Sequence, residues 1–242
     1  MEQAIADNAT PATQRMQMYT AVHKGLRAHM SQVLALVGRT DPTDDGELAA
    51  TLAQVRELVE ILGVHLAEED RFLHSALEAR MPGASASTAE DHVGHELSFD
   101  EIEAEVQAVE RAGAAQRASA MLNLYRRLAR FVAENFEHMH VEETHNQMVL
   151  WATWSEEELL GIHQALVASV PPQAMQVFMK WMLQANPHSE RVALLAGMRE
   201  GAPAEVFEGA LALARAHLPQ RDWAKLARAL QVPAEPGLVE AW

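Results

Sequence analysis

The chain has 242 residues, 49% of them hydrophobic, and carries 19 Lys+Arg against 34 Asp+Glu, a formal net charge of −15. That length suits one large domain, or one domain with a smaller module, and the acidity argues against nucleic-acid binding and against an anionic membrane surface, both of which demand cations. The absence of cysteine excludes disulfides, iron–sulfur ligation, thiolate zinc sites and cysteine nucleophiles; no apolar run is long enough to span a bilayer, and the first residues show neither the basic nor the apolar segment of a signal peptide, so the expected compartment is the cytoplasm.

Period-3.6 stripes rich in good helix formers predict an all-α chain. A first helix is expected from about Thr13 to Val37, ended by the turn Gly38–Gly46 with its Asp41-Pro42. A second runs from Asp45 to about Ala79, and Met81-Pro82-Gly83 opens a loop. Ser87 with Glu90 has the spacing of a capping box and starts a third helix, which reaches about Ala112 before Gly113 breaks it. The fourth runs from about Ala115 to Trp151. Ser155 with Glu158 is a second capping box, and shorter helices are expected near 156–169, 172–184, 189–200, 204–216 and 220–230, separated by prolines. Four long helices with short connections predict an antiparallel four-helix bundle over residues 12–152. The five short ones form a smaller helical module over 155–242, with the boundary at Ala152–Ser155.

Histidine is the unusual residue. There are 12, and nine lie in the first 145 residues. Each long helix carries a stripe with steps of three and four, and polar residues interrupt it at His23 on the first helix, His65 and Glu69 on the second, His92 and His95 on the third, and Asn135, His138, Glu142 and His145 on the fourth. His65-x-x-x-Glu69-Asp70 and His138-x-x-x-Glu142-Glu143 form an internal repeat. Buried imidazoles cost roughly 2–7 kcal/mol each when unsatisfied and ionised carboxylates more, and facing carboxylates also repel. A metal cation resolves both problems. A His and a Glu four residues apart share a helix face, so two such turns with single histidines from the other helices make a dinuclear cage bridged by carboxylates. Without cysteine the ligand chemistry suits iron, manganese or zinc.

At ~1.5 Å per residue the levels of His23 and His65 agree, as do those of His92 and His138. The second-to-third junction fits less well, and the 81–88 loop would have to run back along the bundle. On the third helix His92 is favoured, with His95 or Glu96 as substitute or supporting group. His140 faces elsewhere and reads as surface, His145 as a supporting group, and His74, off the strict stripe, as structural. Met16, Met30 and Met121 read as core filler and the carboxylates of Glu101–Glu110 as a solvated face.

These residues together resemble the hemerythrin-like, or HHE cation-binding, family over about Tyr19–Trp151: His23 with Arg27, His65-x-x-x-Glu69, Asp91-His92 and His138-x-x-x-Glu142-Glu143. The resemblance implies a four-helix bundle holding two iron ions at a non-haem di-iron centre with an open coordination position. His23, His65, His92 and His138 would be ligands, and Glu69 and Glu142 bridges. Members bind or sense O₂, react with NO or peroxide, or help repair iron–sulfur clusters. Two departures shape the expectation. The O₂ carriers have a histidine where this chain has Glu96, and fewer imidazoles leave more exchangeable positions. Cluster-repair members use a cysteine that this chain lacks, which disfavours that mode.

Three functions are expected: a carrier or sensor binding O₂, NO or a related oxidant; an oxidoreductase consuming peroxide or NO; and a metal-stabilised interaction module. The tail, with its Trp181 and Trp223 anchors, is expected to pack on the bundle, on a second subunit in a homodimer, or on a protein partner. All six ligands precede the tail, so a chain ending near Ser155 is expected to keep both ions.

Overall fold

The computed structural model describes residues 15–234, so the start of the expected first helix at Thr13, the first residues of the expected bundle from 12 and the end of the expected tail module, 235–242, lie outside the described residues. Nine helices and no strands make up the described residues. The long ones are α1 (Thr20–Arg39), α2 (Asp45–Arg80), α3 (Ala86–Arg111) and α4 (Ala114–Thr153). Each packs on its neighbour in sequence and α4 returns to α1, closing an antiparallel bundle. The tail holds α5 (Glu156–Ser169), α6 (Pro172–Ala185), α7 (His188–Gly201), α8 (Ala204–His217) and α9 (Gln220–Ala229). None of these is long and apolar enough to cross a membrane.

The bundle core follows the expected stripes. Leu26, Met30, Val33, Val55, Leu58, Leu62, Ile102, Val106, Leu124, Leu128 and Phe131 are all buried, each contributing about 1.5–3 kcal/mol on the usual scale for apolar burial. The helix starts differ in detail. α1 begins at Thr20, with Tyr19 capping it from outside, because Arg15 and Met16 are instead tied to α4 and α5 through Trp151, Trp154 and Glu156. Asp44 caps α2 by accepting from Gly46 and Glu47. α3 starts at Ala86, before the expected Ser87 cap, because the Glu78 carboxylate accepts from the Gly83 and Ser85 amides and already fixes the turn. Gly83 sits at φ 87, a conformation that suits glycine. The Ser155–Glu158 capping box is present as expected.

Two π-helical turns interrupt the long helices, Glu69–His74 in α2 and Glu142–Asn146 in α4. Each begins on the Glu of a His-x-x-x-Glu repeat. A π turn adds a residue to the ladder and rotates the helix beyond it. Leu73 and His74 are therefore buried where steps of three and four from Glu69 would bury Phe72, which is only half-buried, and Asn146 and Gln147 where His145 was expected; His145 is exposed. The connection to α3 is only the five residues between Arg80 and Ala86, fixed by Glu78, so no loop runs back along the bundle.

The tail is seated on the bundle. α6 crosses α1 with its backbone close to Gly25, where an added Cβ would lie 3.0 Å from the Met182 nitrogen. Trp181 stacks on His29 at 4.4 Å, Lys24 pairs with Glu190 at 2.8 Å, and Asn186 donates to the Ala21 carbonyl at 3.0 Å. Ala174 and Phe178 join the bundle's own apolar cluster. A second cluster, built on Leu183, Leu195, Ala214, Trp223 and Leu226, holds α7–α9 against the end of α6.

Candidate metal centre

All six expected residues meet inside the bundle, and each is at most 6% exposed. His23 comes from α1, His65 and Glu69 from α2, His92 from α3, and His138 and Glu142 from α4. His23 Nε2 lies 3.4 Å from Glu69 and 3.5 Å from Glu142. His65 Nε2 is 3.3 Å from Glu69, and His138 Nε2 is 3.2 Å from Glu142. Three groups of donor atoms among the described residues, each within 4.8 Å, could hold a cation: Glu69, His92, His138 and Glu142; His23, His65 and Glu69; and Asp70, His74 and His92. Glu69 belongs to the first two.

The outer nitrogens fix the rings. His23 Nδ1 donates to Glu143 at 3.1 Å, His92 Nδ1 to Asp70 at 2.8 Å and His138 Nδ1 to Asp91 at 3.2 Å. With the proton on Nδ1, each Nε2 lone pair points inward, the arrangement that outer carboxylates impose on ligand histidines. Arg27 holds Glu143 through both carboxylate oxygens. Burial would raise Glu143, but the hydrogen bonds from His23 and Arg27 override it and hold the carboxyl at about 2.

Without a cation this interior is badly satisfied. His92 and His138 aim their Nε2 atoms at each other across 3.1 Å. His65 Nε2, one oxygen of Glu69 and both of Glu142 have no hydrogen-bond partner among the described residues. Burial lowers His23 and His65 and takes His138 down to about 2, so these imidazoles are neutral. Burial also raises Glu69 and Glu142 well above the carboxylate range. Glu142 adds its repulsion to Glu69, and Glu143 adds its own to Glu142. Neutral imidazoles, converging lone pairs and two carboxyls held back from ionising fit a multivalent cation.

Three further side chains border the cage. His74, expected to be structural, is buried; the π turn stacks it 4.7 Å from His92, and Asp70 accepts from its Nδ1 at 2.7 Å. Tyr19 is fully buried with its ring 5.4 Å from His23. Phe178 of the tail packs on His65 at 6.4 Å. The five-residue step from Glu69 to His74 is the only sequence signal for the first. Glu96 is exposed, whereas His95 is buried with its ring 5.0 Å from His138.

His138 and His140, two residues apart, separate cleanly: His138 is buried and His140 exposed. His138→Ala should cost the protein a bound metal, measured by elemental analysis after gel filtration, and His140→Ala should cost none. Equal losses would mean that the register of α4 is misassigned.

A BRUTUS-like zinc finger protein of Arabidopsis thaliana is 22% identical over 186 residues, a stretch that covers 76% of this chain and 15% of that much longer protein. The hemerythrin HHE cation binding domain matches residues 16–149, from just before α1 to near the end of α4 and around every residue of the cage. The chain belongs to the hemerythrin HHE cation-binding family.

Proposed function

We propose that the cage holds two iron ions and that the protein binds or senses O₂, NO or a related small oxidant at the positions its own donors leave open. The observation that carries this reading is the sharing of Glu69 between two adjoining donor groups. His23 and His65 would serve one ion and His92 and His138 the other, with Glu69 and Glu142 between them. Four imidazoles and two carboxylates are too few to saturate two ions, so exchangeable positions remain. When bound, iron in such a nitrogen–oxygen set supplies a redox-active Lewis acid for a diatomic or peroxidic ligand.

The chain's own residues prepare that site. Asp70, Asp91 and Glu143 hold three imidazoles in the ligating tautomer, and Arg27 offsets the charge of Glu143. Tyr19 and Phe178 wall the cage on the α1 and tail sides. The labour divides at 152–155: the first part supplies the ligands and the second covers them. An oxidoreductase consuming peroxide or NO is the second reading, favoured by the exposure of Glu96, which leaves α3 without the carriers' extra imidazole at that position. Mixing reduced, iron-loaded protein with O₂ or NO decides between them. A spectrum that reverses on degassing supports binding; repeated turnover with an electron donor supports the enzyme.

Metal uptake should also release protons. Glu69 and Glu142 are raised above the ordinary value of 4.5, so metal-free protein carries protons on them above that pH. A cation must displace those protons, and apparent affinity should therefore rise with pH from 4.5 up to the raised values. Titration in a weakly buffered indicator solution measures the release, and a pH-independent affinity would contradict it.

A further inference from the structure

A cleft of about 650 Å³ opens between α3 and α4, and its lining includes His138. It joins solvent to a residue of the cage. Its rim is acidic. Arg127 and Arg130 also line it, but they are taken by Glu101 at 2.6 Å and Glu134 at 2.7 Å. Glu90 and Glu137 are exposed at the rim and form no ion pair among the described residues. Asp91, also in the lining, is the carboxylate that holds His138.

An acidic rim alone says little, but the lining carries a second signal. His95 is 4% exposed, its Nδ1 has no hydrogen-bond partner among the described residues, and its ring stands edge-on to His138 at 5.0 Å. A buried imidazole with an unspent nitrogen, between an anionic mouth and a cage ring, is a stepping point for a cation. Gly94 lies in the same wall, and a Cβ there would meet nothing within 4 Å. The wall therefore leaves space for a side chain at Gly94, next to His95 in the chain.

We propose that this cleft is the loading path of the metal centre: Glu90 and Glu137 draw a divalent cation to the mouth, and His95 hands it to His138. The proposal rests on the reading that the cage holds metal, and it concerns how fast metal arrives, while that reading concerns how much is held.

The test uses the full-length metal-free protein and Co²⁺, whose absorbance reports uptake and which does not oxidise on mixing. Gly94→Phe fills the cleft without replacing a cage residue, and Gly94→Ala controls for the backbone change. Gly94→Phe should slow uptake at least tenfold with the final Co²⁺ content unchanged, whereas Gly94→Ala should load like the parent. The double variant Glu90→Gln with Glu137→Gln should load several-fold more slowly at low salt, with a flatter dependence on ionic strength. Glu205→Gln, an exposed tail carboxylate, should change nothing. Unchanged uptake by Gly94→Phe, or equal slowing by Glu205→Gln, overturns the path. A parent protein that takes up no Co²⁺ at equilibrium overturns the metal reading itself. Circular dichroism confirms that each variant is folded, and the double variant, confined to exposed positions, keeps the proposal testable if Gly94→Phe is not.

Discussion

Glu69→Gln and Glu142→Gln should each lose metal and yet make the metal-free protein more stable. Gln keeps the shape of Glu but carries no charge, so it is a poor ligand and cannot bridge two cations. Loss of Glu69 should be the more severe, because that residue belongs to two donor groups and Glu142 to one. In the metal-free state the same change removes a liability. Each carboxyl is buried and pushed up, first by burial and then by acidic neighbours. A group whose folded pKa is raised contributes stability fully below its unfolded value, here 4.5, and loses it as pH rises toward the folded value. At neutral pH the parent therefore carries a penalty that Gln does not. Relief of a buried, poorly paired charge is on the order of 1–4 kcal/mol, and each kcal/mol moves the melting temperature of a chain this size by roughly 2–4 °C. Thermal melts with and without metal should cross over: the parent melts higher when loaded and the Gln variants when stripped. A Gln variant that is less stable in both states would mean that the carboxylates are satisfied by protein alone.

Gly25→Leu should detach the tail and shorten the time for which the bundle keeps its metal. The α1–α6 crossing leaves no room for a side chain, because the clash is with the backbone at Met182 and Trp181, which cannot rotate away. Losing that crossing removes the Trp181–His29 stack and takes Phe178 off His65. The expectation that a chain ending near Ser155 holds metal like the full chain changes accordingly. The ligands stay, but one wall of the cage goes, and release to a chelator should accelerate by about 10–100-fold, the usual cost of stripping the groups around a metal site. Both Gly25→Leu and the 1–155 chain should show it, and limited proteolysis of the variant should cut between α5 and α6. His29 adds a pH signature. Burial, aided by Lys180, lowers it to about 4, so docking is complete above its ordinary 6.5 and weakens as pH falls from there toward 4. Unchanged metal retention in both proteins would show that the tail merely sits beside the bundle.

The fold was largely legible because its signals are local: steps of three and four, proline and glycine breaks, and Ser155 with Glu158. The cluster of His23, His65, Glu69, His92, His138 and Glu142 was legible because polar residues on an apolar stripe need a common reason to be buried. The π turns were not. They lie within unbroken helical periodicity, and only the packing of Leu73 rather than Phe72, and of Asn146 rather than His145, reveals the shifted register. The partners that hold the rings, Asp70, Asp91 and Glu143, each stand one position before or after a cage residue, and such positions face away from the stripe in a regular helix. The covering of the cage by Phe178 depends on how α6 docks, a long-range contact that no local pattern encodes.

The most direct test is the metal content of protein purified aerobically from iron-supplied cells, together with its optical spectrum before and after azide. The predicted result is about two irons per chain, near-ultraviolet oxo-to-iron charge-transfer bands, and a spectral change as azide takes an open position. One metal or none per chain, with ample iron supplied, would contradict the shared-Glu69 centre, and two irons that ignore azide would contradict an open site.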